Sequence, residues 1–205
     1  MSSGATGSLV RVTSTAHPDL APQAATVARL VAGVGDDQLA DPTPCAGTPV
    51  AGLLDHLAGL TLAFRLAAEK APMPGAASAS AEHLAPDWRE RLPRQLEELV
   101  PAWRSPEAWE GLAEAGGVQL PAAVMGVVAL NEVLVHGWDL AVATGQPYEV
   151  DEAAALACLA HAEEFARAMP AARDGIYGPV VAVPDDAPGF DRLLGLTGRD
   201  PSWSA

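Results

Sequence analysis

Cysteine is scarce: the 205 residues contain two, Cys45 and Cys158, far apart in the chain. Two isolated thiols make no disulfide framework, so a reducing cytoplasm is the expected compartment. Positive charge is short as well, with 12 Lys and Arg against 26 Asp and Glu and a formal net charge of −14. Nucleic-acid binding needs a positive face to neutralise phosphates. That class of partner is therefore excluded, and docking on an anionic membrane with it. The longest apolar run, AAVMGVVAL at 122–130, falls well short of the roughly 20 residues that span a bilayer. The N-terminus, MSSGATGSLVRVTSTAH, is polar and small and has no apolar stretch of signal-peptide length. A Gly-rich phosphate loop, a serine nucleophile elbow, a Cys-x-x-Cys pair and internal repeats are also missing. Nucleotide cofactors and serine-hydrolase chemistry are thus without support.

What is present is a helix-rich pattern. Nearly half the residues are apolar (49%), and the length suits one domain with a proper core. Leu20, Val27, Leu30, Val31 and Val34 recur at helical spacing and predict a first helix over 19–34. Thr48 as N-cap with Pro49 at the first helical position predicts a second over 50–70. The Pro/Gly/Ser-rich stretch 71–82 reads as an exposed connection. A third helix falls within 87–104, kinked or restarted at Pro93, and GGVQL at 116–120 reads as a short extended piece. A fourth helix over 122–143 stops at TGQP, and Asp151 caps a fifth over 152–169. The tail reads as extended over 179–184, with a short helix after Pro188. The expectation is an all-α domain: a flexible segment (1–18), a four-helix bundle (19–170), and a C-terminal extension packed on it (171–205).

On the fourth helix, Glu132 and His136 stand four residues apart and share a stripe with Met125, Val128, Leu140 and Ala143. On the second, His56 shares a stripe with Leu53, Leu57, Leu60 and Phe64. Ionisable groups in such settings cost several kcal/mol unless paired or bound to a metal. Two imidazoles and one carboxylate, with a position left open, are the ligand set of a catalytic zinc. The same residues also read as an i,i+4 ion pair beside a core histidine, and spacing alone leaves both readings open. Asp139 can orient a ligand from behind or serve packing near the helix end. Trp138 walls a pocket or fills the core, and Asp55 reads as a solvated charge. Cys45 and His161 are alternative fourth ligands, Cys158 reads as core, and nothing assigns a role to His17 or His83.

Three segments, TPCAGTPVAGLLDHLAGL (43–60), LNEVLVHGWDLAVATGQP (130–147) and YGPVVAVPDDAPGFDRLLGLTGRDP (177–201), resemble an actinobacterial metal-binding family. That family belongs to the DinB-like superfamily and is related to the N-terminal domain of mycothiol-dependent maleylpyruvate isomerase. The resemblance implies a DinB-like bundle and a divalent metal, zinc first among the candidates, held by His56, Glu132 and His136. Two departures stand out: residues after 170 resemble the family's short tail rather than the isomerase's second domain, and Thr48 replaces the usual Trp. The resemblance therefore does not extend to maleylpyruvate isomerisation itself.

The function this implies is a thiol-dependent transferase or isomerase acting on a small electrophile, with mycothiol as co-substrate. The alternatives are a metal-dependent hydrolase in which the metal activates water, and a non-enzymatic metal-binding or stress-response module. The expected partners are a small molecule and a low-molecular-weight thiol, with pairing of two copies through a helix face as the expected oligomer.

Overall fold

A computed structural model describes residues 17–73, 75 and 79–204. Most of the predicted flexible segment 1–18 lies outside the described residues. The chain forms α1 (Ala21–Gly33), α2 (Val50–Ala68), α3 (Trp88–Arg104), β1 (Leu112–Ala115), β2 (Val118–Pro121), α4 (Ala122–Ala143), α5 (Glu152–Ala168), α6 (Pro170–Ile176) and α7 (Gly189–Leu196). The all-α, DinB-like architecture expected from the sequence is the one observed. Helix α2 packs on α3 and α4, α1 also packs on α3 and α4, α5 lies on α4, and α7 packs on α5.

The core is aliphatic. Leu53, Leu54, Leu57, Leu92, Leu99, Leu130, Leu134 and Leu140 are all fully buried. Helix α4 is the central element. Every residue from Ala129 to Ala141 is buried except Glu132, so this stretch is covered on almost all sides and its one partly open position faces a cavity. Helices α2 and α4 are long and apolar enough to cross a membrane by length and composition. Both are largely packed inside the protein, which accounts for that composition.

Several local expectations need correction. Thr48 does not cap α2: the N-cap is Pro49. The Val50 and Ala51 N–H groups donate to the carbonyls of Asp41 and Leu39, so the preceding loop does the work of a capping side chain. Helix α3 is unbroken through Pro93 and Pro101. Its buried stripe of Leu92, Leu96, Leu99 and Trp103 is continuous, and this packing outweighs the hydrogen bond that each proline removes. The extended piece at GGVQL is one arm of a hairpin in which Ala115 pairs with Val118. Gly116 and Gly117 have φ of 58° and 80°, the paired left-handed conformation that closes a two-residue hairpin turn. Helix α6 is additional, because Pro170 starts a helix rather than only ending one. Residues 179–184 have no regular structure and lie along α7, with Val181 N–H donating to Gly195 O. Asp151 caps α5 as expected, accepting from Ala154 N–H at 2.8 Å.

Candidate functional site

The apolar periodicity of α4 turns Glu132 and His136 toward α2, and α2 presents His56 to them. Glu132 Oε2 lies 3.1 Å from His136 Nε2 and 3.9 Å from His56 Nε2. The two imidazole rings meet edge to face, with centroids 4.8 Å apart and planes at 88°. One donor atom from each of the three residues falls within 4.8 Å of the others. Donor atoms around a tetrahedral zinc are about 3.3 Å apart, as follows from bonds near 2.0–2.1 Å. Two imidazole nitrogens, once a cation has displaced the proton held on His136, and a carboxylate oxygen at these separations are a donor set that could hold a divalent cation.

Exposure falls steadily across the cluster: the side chains of His56, Glu132 and His136 are 37%, 18% and 9% exposed. The site thus opens at His56 and closes at His136. Behind His136 its Nδ1–H donates to Asp139 Oδ2 at 2.9 Å, which leaves Nε2 as the atom facing Glu132. Asp139 is fully buried and receives Arg199 Nη2 at 2.9 Å on Oδ2 and Arg199 Nε at 3.3 Å on Oδ1. Arg199 is held in turn by donating to Thr197 O at 2.7 Å. The C-terminal segment therefore braces the helix that carries the cluster through Asp139, which is in hydrogen-bond contact with His136.

The electrostatics follow from this chain of contacts. Burial opposes charge on His136, yet its hydrogen bonds to Asp139 and Glu132 outweigh burial and hold the imidazole up at about 10. Burial also opposes ionisation of Glu132 and Asp139. The neighbouring His136 and Arg199 reverse that, and both carboxyls sit below the usual range. Burial, and then the charge of His136, push His56 down.

The cluster sits on the wall of a cavity of about 800 Å³, lined by both His56 and Glu132. Asp55 also lines it and accepts the Ser80 N–H at 3.0 Å. It is therefore not the solvated charge that the sequence suggested, because the chain after α2 folds back across it. His161 and His83 are on the cavity wall, whereas Cys45 and His161 stand outside the three-residue cluster. Trp138 and Cys158 are buried in the core, and His17 stacks on Trp109 with centroids 4.1 Å apart.

Two residues near the site carry no sequence signal strong enough to single them out. Arg199 is one. Tyr177 is the other: its hydroxyl accepts from Asn131 Nδ2 at 3.4 Å, and burial, followed by the charge of Glu132, pushes it up to about 12. The ring lines the cavity. A buried carboxylate such as Asp139 does call for a cation, but the extension 171–205 offers Arg173, Arg192 and Arg199, and only the fold chooses among them.

The family model of the mycothiol maleylpyruvate isomerase N-terminal domain matches residues 20–141, a span that includes His56, Glu132 and His136. Two uncharacterised proteins of Mycobacterium tuberculosis, from strains CDC 1551 / Oshkosh and ATCC 25618 / H37Rv, are each 28% identical over 183 residues. The alignment covers 84% of this chain and 91% of theirs. A crystal structure of the mycothiol-dependent maleylpyruvate isomerase is similar with a TM-score of 0.55 at 18% identity, over 70% of this chain. The chain spans 64% of that isomerase's length, and at such identity the likeness speaks for the fold alone. Because the family match covers more than half of the sequence, the chain belongs to the mycothiol maleylpyruvate isomerase N-terminal domain family.

Proposed function

We propose that His56, Glu132 and His136 hold a divalent metal ion, zinc first, and that the protein is a thiol-dependent transferase or isomerase for a small electrophile. The observation that carries this reading is the convergence of three donor atoms from two helices on the wall of a cavity. A cation held there would favour thiolate over thiol, and thiolate is the nucleophilic form. Mycothiol enters as the thiol through the isomerase to which the fold is similar.

The chain's own groups have separable tasks in this scheme. Asp139, fixed by Arg199, keeps His136 in the tautomer that offers Nε2 to the site. Glu132 supplies the negative charge that attracts the cation. The apolar walls exclude water from the electrophile. Tyr177, kept protonated by burial, is the proton source placed on the same cavity. An open site is favoured over a closed structural one because neither Cys45 nor His161 joins the cluster among the described residues.

Metal content of the purified chain, measured beside His56→Ala, tests the first half of the proposal. One metal per chain is expected in the parent and a large loss in the variant. Turnover of an electrophile with and without mycothiol tests the second half. Activity that survives loss of the metal in His136→Ala would contradict the scheme.

A further inference from the structure

The cavity is more apolar than a metal site, a polar thiol and a small electrophile require. Its volume of about 800 Å³ is toward the upper end of the roughly 300–1,000 Å³ typical of pockets for drug-sized molecules. Helices α2 to α6 and the hairpin all contribute to its wall, through residues such as Phe64, Trp88, Met125, Val128, Phe165 and Met169. At its margin the apolar surface continues outward: Val118, Met169 and Ile176 are 55%, 55% and 66% exposed. An apolar molecule arriving here would exchange water for side chains along its whole length.

The ionisable groups on the wall narrow the class of occupant. Besides three imidazoles, the described residues of the wall include two carboxylates, Asp55 and Glu132, and one guanidinium, that of Arg91 on α3. Glu132 is committed to the two histidines, and Asp55 accepts the Ser80 N–H. Arg91 has no carboxylate partner for its side chain among the described residues. A small dianion would give up its hydration for one guanidinium and two carboxylates, a poor exchange. One acidic group on an apolar body matches the wall.

We propose that the cavity binds an amphiphilic monoanion: an acyl or aryl body with one acidic group that pairs with Arg91, its reactive end reaching His56 and Glu132. The body and the acidic group are argued from the cavity alone. The placing of the reactive end rests on the metal-centre reading above.

Calorimetric titration of the full chain with decanoate, decanol and maleate tests this, on the parent, Arg91→Gln and Arg91→Lys. Decanoate is expected to bind, with maleate far weaker. Arg91→Gln should weaken decanoate about tenfold, the worth of one charge-assisted hydrogen bond, while leaving decanol unchanged. Arg91→Lys should recover most of the loss. Maleate binding as tightly as decanoate, or an Arg91→Gln variant indistinguishable from the parent, would overturn the inference. Zinc measured in the same samples separates the two proposals. Decanoate bound by a chain that holds no zinc supports the cavity's occupant and removes the metal centre. Zinc bound without any binding of decanoate or decanol does the reverse.

Discussion

Two carboxylates on α4 flank the same histidine, and they live in opposite circumstances. Asp139 is fully buried, bonded to His136 on one side and clasped by Arg199 on the other. Glu132, nearly two turns earlier, keeps 18% of its side chain exposed and has only two imidazoles for company. The first has a permanent cation as counter-charge and so can serve as a fixed orienting group. The second faces a cavity and is paired with imidazoles, whose charge is lost when a metal displaces the proton, which leaves its own charge available to a bound cation. One helix thus provides a braced side and a receptive side of His136, seven residues apart.

The largest expected effect breaks the braced side. Arg199→Leu leaves Asp139 buried without its counter-charge, and chemical denaturation should show a loss of about 3–5 kcal/mol. Glu132→Gln, by contrast, should cost much less stability while abolishing tight metal binding. Equal stability losses in the two variants would mean that the two carboxylates do not differ as described.

Asp139→Asn, which nearly preserves shape, sharpens the comparison further. Metal affinity should fall about 10–100-fold, the usual consequence of removing a carboxylate behind a ligating histidine, and a competition titration against a chelator would measure it. Gly137→Ala comes next. A methyl there would meet Val27 at 2.6 Å and the Tyr148 hydroxyl at 2.8 Å, so thermal unfolding should reveal roughly 1–3 kcal/mol of destabilisation from overpacking. Retained zinc stoichiometry in that variant would show that the site tolerates a small shift of α4 against α1.

The smallest effect concerns the thiols. Cys158 is fully buried, and burial pushes its thiol up to about 12. It should therefore resist alkylation at pH 8 in the native protein and react only after unfolding. Rapid modification of Cys158 in the native state would argue against its place in the core.

Much of this was legible in the residues. The end of α4 follows from TGQP after it, and its periodicity alone puts Glu132 and His136 on one stripe. His56 satisfies the same test on α2. Periodicity could not supply the distance between α2 and α4, nor show that the stripe borders a cavity rather than a closed core, since both depend on how the helices cross. Arg199 is 60 residues from Asp139, and no local pattern links them. At Pro93 a local rule gave way to tertiary packing, because the stripe from Leu92 to Trp103 holds the helix through the missing hydrogen bond. The six residues from 116 to 121 show the converse case: two glycines with positive φ build a hairpin where only one extended piece was visible.

The central claim is that Glu132, His56 and His136 together form one metal site. Calorimetric titration of zinc into the metal-stripped chain, repeated on Glu132→Gln, tests it most directly. The account predicts one zinc per chain in the parent and a loss of affinity of at least about a hundredfold in the variant. Equal zinc affinity in the two proteins, or no zinc uptake by the parent, would contradict it.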